Sequence, residues 1–254
     1  MKTEKNVLEQ QLRSQCMSDQ NSILTRSDIM IKKDSDELIA PRSTLYGSIS
    51  ALFSDPESEK FSMLISTALQ GSALDACFQL EEKLDLKKTN LSGSFQKLMA
   101  RLDSSNLAII SNEFVDVFGH TLSKQIAPYA LEHLKNKDLF FQTQKLADLN
   151  GFYKAFGLEV ESIERADHIS TQSEFLSFLL LKHCLEKQNS LSEEKEICKK
   201  AFSDFQRDHF FEWVEMFAKN LTTHVDSDFY LLTGNFLSEF LKLEKPYINT
   251  SIKN

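Results

Sequence analysis

The sequence predicts an all-α, single-domain bundle of about nine to eleven helices, and three observations lead there. Glycine (7) and proline (4) are scarce in a chain of 254 residues. Together they fall under about 5% against roughly 12% in average usage, which leaves little material for hairpins and tight turns. Apolar residues recur at helical spacing wherever a pattern is present, with no convincing period-2 alternation between them. With 41% apolar and 26% charged residues, the chain can bury a core that needs no disulfide or metal staple.

Residues 1–40 are rich in Lys, Asp, Glu, Ser and Gln and lack a sustained apolar stripe. They are expected to form a flexible or partly helical extension, with the helical domain spanning 41–254. Leu45, Ile49, Leu52 and Phe53 form the first stripe, ended by Asp55-Pro56. Leu107, Ile110, Phe114, Val117 and Phe118 form another, with Asp103, Ser104 and Ser105 as capping residues and Gly119 as the stop. Leu139, Leu146, Leu149, Tyr153 and Phe156 mark a longer helix, and Gly157 follows where a left-handed cap belongs. The connection LEVESIERA leads to a helix opening at Asp167 or His168, whose buried face carries Ile169, Leu176, Leu179, Leu180 and Cys184. Phe210, Val214, Phe217 and Leu221, then Phe229, Phe236, Phe240 and Leu241, line the last two helices. Nine of the 20 phenylalanines sit on these stripes and read as core; those near loops are the ones able to line a groove for an apolar peptide.

The net charge of −8 argues against nucleic acid as a partner and suits a basic one. Cys16, Cys77, Cys184 and Cys198 are widely spaced, with no CxxC pair and no histidine cluster. They read as buried thiols of a reducing compartment rather than metal ligands. The stretch VLEQQLRSQCMSDQ behind Lys2 and Lys5 is too polar for the core of a signal peptide, so a cytoplasmic location is expected. No apolar run approaches the roughly 20 residues of a membrane span, so direct insertion into a membrane is not expected.

No GxGxxG, GxxxxGK[ST], HExxH or GxSxG motif is present, and an enzyme is therefore not expected. The local constellation that stands out is Glu164-Arg165-Ala166-Asp167-His168, at a junction of loop and helix. In its simplest reading Asp167 caps the helix through the first free backbone amides and His168 is an ordinary first-turn residue. In the functional reading Asp167 and His168 present an acceptor and a switchable donor at the rim of a groove, made acidic by Glu159, Glu161 and Glu164. Alanine at Asp167 or His168 would then spare most of the fold and weaken binding.

Several segments, in order over about residues 42–243, resemble the TorD, DmsD and NarJ family, the dedicated assembly chaperones of molybdopterin-containing oxidoreductases. Leu45-Tyr46 with Ala51-Leu52-Phe53 and Pro56 is similar to the family's opening helix. Glu113-Phe114-Val115-Asp116-Val117-Phe118-Gly119 resembles its E-[YF]-x-x-L-F segment, and Pro128-Tyr129 its PYES-type element. Residues 142–181 resemble the most specific signature, FY-x-x-x-G-L followed by E-x-P-D-H-[IL]. Phe210-Phe211-Glu212-Trp213-Val214, then Phe229-Tyr230 and Phe236-Leu237, are similar to the terminal helix pair. Two positions depart from the pattern: Ala166 replaces the usual proline, which would loosen the loop, and Gln172 replaces a glutamate, which would remove a charge from the rim.

The resemblance implies a TorD-like helical bundle that binds the N-terminal region, often a twin-arginine (Tat) signal peptide, of the catalytic subunit of a molybdopterin oxidoreductase of the dimethyl sulfoxide reductase type. It would hold that subunit until cofactor insertion, acting as monomer or dimer with no cofactor, metal or nucleic acid of its own. By the same resemblance client binding falls to Asp167 and His168, then Glu164, Tyr46, Phe114 and Trp213. The alternatives left open are a small helical enzyme or nucleotide- or metal-binding protein using Asp167 and His168, and a generic helical adaptor.

Overall fold

The computed structural model describes residues 36–84, 89–119, 126–160, 164–188 and 192–251. All of the expected extension before residue 36, with Cys16, and also Glu161 and His120, lie outside the described residues. Eleven α-helices are present among the described residues and no strand. They are α1 (Ile39–Leu52), α2 (Glu59–Ser62), α3 (Thr67–Leu84), α4 (Leu91–Asp103), α5 (Leu107–Phe114) and α6 (Ala130–His133). The chain continues through α7 (Leu139–Ala155), α8 (Ile169–Gln188), α9 (Ser192–Phe205), α10 (Val214–His224) and α11 (Asp228–Ser251). Two π-helical turns, Val115–Gly119 and Gln206–Phe210, extend α5 and α9.

Helices α1 and α8 form the central pair, with α3 and α9 on their flanks and α4, α10 and α11 completing the bundle. Their contact is set by serines seven residues apart, two helical turns, on each partner. Ser43 Oγ donates to the Ser177 carbonyl at 3.0 Å, and Ser177 Oγ returns a bond to the Ser43 carbonyl at 2.8 Å. Ser170 Oγ donates to the Ser50 carbonyl at 2.8 Å. The pairing of 43 with 177 and 50 with 170 makes the helices antiparallel. Serine is short enough for the two backbones to approach, and each of these four hydroxyls finds its partner on the neighbouring helix. A second close approach lies between α10 and α11, where a Cβ on Gly234 would stand 2.7 Å from Leu221 Cβ.

The largest buried polar group is a four-residue network. Glu244 of α11 is fully buried and accepts from Arg42 Nε at 2.7 Å and Arg42 Nη2 at 2.8 Å. Its second oxygen also takes the Tyr46 hydroxyl at 2.9 Å and Gln206 Nε2 at 2.7 Å. Arg42 lies over the Phe202 ring, 4.9 Å from its centre. Burial and the Glu244 charge hold the Tyr46 hydroxyl well above the usual phenol range, so it stays a donor. Tyr46, a client-binding residue by resemblance, is thus fully enclosed by the fold's own side chains.

The expected stripes of α1, α8, α10 and α11 all face the core. Two expectations fail at helix starts. Asn106, not Asp103, Ser104 or Ser105, caps α5, its side chain accepting from Ala108 N at 3.0 Å. Ser104 and Ser105 instead bond the Arg101 carbonyl at the end of α4. Leu107 and Leu139 do not face the core: they open α5 and α7 and are 39% and 77% exposed.

Removing Glu244 strands the Arg42 guanidinium in the interior. Glu244→Ala is expected to cost about 3–5 kcal/mol of unfolding free energy in urea titration, with part regained when Arg42→Met is added. Equal stability of Glu244→Ala and the parent chain would contradict the role given to this network.

Candidate functional site

The corner singled out in the sequence is built from three pieces of chain. Helix α7 ends on Gly157 at φ +71°, with Leu158 N bonded to the Tyr153 carbonyl and Gly157 N to the Lys154 carbonyl, both at 2.9 Å. This is a Schellman closure, and its left-handed residue is one that glycine adopts without strain. Residues 164–168 meet the segment before α6 in an isolated antiparallel bridge between Tyr129 and His168. Ala130 N donates to the Asp167 carbonyl and Ile169 N to the Pro128 carbonyl, each at 3.0 Å.

Asp167 is fully buried and does cap a helix, but not the one that follows it. Its Oδ2 accepts from Leu131 N at 3.1 Å, so together with its own carbonyl it closes the first turn of α6. The start of α8 is capped by His168, whose Nδ1 accepts from Ser170 N at 3.2 Å. That bond leaves Nε2 as the protonated nitrogen, 3.5 Å from Glu164 Oε2.

Arg165 forms a fork on Asp167, Nε to Oδ1 at 2.9 Å and Nη2 to Oδ2 at 2.8 Å. The same guanidinium lies 4.5 Å from the centre of the Tyr129 ring, and the edge of that ring meets His168 at 5.1 Å between centres. Tyr153 from α7 donates to the Ala166 carbonyl at 2.7 Å. Ala166 therefore does not loosen the loop as expected, because hydrogen bonds from α7 and to α6 hold the backbone that proline would have restricted. Gln172 is a further correction: it is buried, far from any rim, and accepts from Trp213 Nε1 at 3.0 Å.

The electrostatics of the corner follow from burial. Desolvation, with Lys60 and Arg165 adding to it, lowers the His168 pKa from 6.5 to about 3. A neutral His168 makes no ion pair with Glu164, and the expected switchable donor at an open rim is instead a buried capping group. Glu164 is half-buried; desolvation raises its pKa, with Asp55 acting in the same direction and Lys60 against it. Lys60 itself bonds Glu174 at 2.6 Å.

The six residues expected to bind a client separate into two groups. Asp167, His168, Tyr46 and Trp213 are buried, whereas Glu164 and Phe114 retain partial exposure. Trp213 stacks near His133 and Phe217, each at 5.3 Å between ring centres. Phe114 meets Phe118 at 5.4 Å and packs against the same core, away in sequence from the corner. Arg165 and Tyr129 hold the corner, although neither is among the six residues expected to bind a client. The two-residue spacing from Arg165 to Asp167 was the available signal. Among the described residues no group of three or more His, Cys, Asp or Glu is placed to hold a metal ion, and no helix is long and apolar enough to cross a membrane.

The most conspicuous polar corner of this helical bundle is turned inward and fixes the starts of α6 and α8. The nitrate reductase delta subunit family model matches residues 80–219, more than half of the chain. The chain belongs to this family, which takes in the NarJ- and TorD-type chaperones of redox-enzyme maturation. It is similar to the chaperone protein TorD of Vibrio parahaemolyticus serotype O3:K6, 25% identical over 219 residues that cover 82% of this chain and 94% of the relative. A solved structure from Archaeoglobus fulgidus, described as a candidate redox enzyme maturation protein, is 20% identical with a TM-score of 0.45, covering 79% of this chain and 93% of that one.

Because Asp167 is structural, Asp167→Ala is expected to cost about 1–3 kcal/mol in chemical denaturation by leaving the Leu131 amide unpartnered, and Asp167→Asn to restore part of it. Two variants as stable as the parent would refute that placement. The folded-state pKa of His168 lies below its unfolded value, so its contribution to stability is complete above about pH 6.5 and is lost as pH falls towards 3, by up to about 1.4 kcal/mol per unit. His209, lowered by burial and Lys145, acts in the same direction; Glu164, raised, acts in the opposite one. His168→Asn keeps a capping oxygen and removes the titration, so its melting temperature is expected to fall less steeply between pH 6.5 and 5. Parallel curves would show that His168 is not the group concerned.

Proposed function

We propose that the chain is a cytoplasmic assembly chaperone that binds the N-terminal region of a molybdopterin oxidoreductase catalytic subunit, carrying a twin-arginine signal peptide, and holds it until the cofactor is inserted. The observation that carries this reading is the family match across residues 80–219, which includes the whole Arg165–His168 corner. The chemistry is compatible. A twin-arginine segment joins a basic pair to an apolar stretch, and its receptor needs acidic side chains beside apolar surface. This protein is acidic overall, with a net charge of −8.

Under this proposal the corner works as a scaffold. Asp167 and His168 fix the ends of α6 and α8, and Glu164 offers the client a partly exposed carboxylate. Tyr46 and Trp213 hold the core behind it. The bundle performs no bond-making step; it binds and releases.

Co-expression with catalytic subunits of molybdopterin oxidoreductases is expected to retain at least one of them on the tagged chain, through its N-terminal region. Retention of none, or of partners without molybdopterin, would refute the proposal. Glu164→Gln is expected not to lower the melting temperature at neutral pH, because burial disfavours the charged form, and to weaken client binding by no more than about fivefold, since a partly exposed ion pair contributes only about 0–1 kcal/mol.

A further inference from the structure

We draw no further inference here: the strongest candidate, the outward face of α7 with Leu139 and Phe140 exposed in its first turn, is an unpartnered apolar face, and nothing in the structure shows what covers it.

Discussion

Burying a carboxylate is tolerated only when its charge and every lone pair are answered, and Glu244 is answered by three residues from distant parts of the chain. Arg42 and Tyr46 come from α1, and Gln206 from the π turn after α9. An uncompensated charge at this depth would cost several kcal/mol, so the four groups must arrive together. That requirement sets α11 against α1, and α1 in turn fixes α8 through Ser43, Ser50, Ser170 and Ser177. The register of the central helices is held by directional bonds, and the phenylalanines fill the space that those bonds define.

The same economy governs the Arg165–His168 corner. Asp167 and His168 close the ends of two different helices, and Arg165 covers them from the solvent side with its own partial exposure. Such an arrangement brings α6, α7 and α8 to a fixed meeting point without presenting a reactive group.

Much of this was legible in the sequence, for a physical reason: helical stripes and caps are local. The Phe210–Leu221 and Phe229–Leu241 stripes, and the left-handed Gly157, depend on neighbours within one or two turns and appear as expected. The cap of α5 was missed by one residue because Ser104, Ser105 and Asn106 are all good caps, and only the backbone direction selects Asn106. Leu139 has the right spacing for the core but lies in the first turn, beyond the neighbouring helices.

The site was less legible because its partners are far apart. Nothing local distinguishes Glu244 from a surface glutamate, since Arg42 lies 202 positions away. Asp167 has the composition of an N-cap and is one, yet for α6, 36 positions before it. Gln172 looked like a rim residue until Trp213 was seen to bond it from another helix. The serine spacing of seven on both α1 and α8 is a local signal, but it shows nothing of which two helices it joins.

Amide hydrogen exchange of the chain, alone and in complex with a client catalytic subunit, tests the central claim most directly. Slowed exchange confined to the residues around Glu164 is the predicted result, with α1, α8 and α11 already protected in the free protein. Protection that appears first in α1 and α11, with no change around Glu164, would show that the bundle is remodelled by its client, and would contradict it.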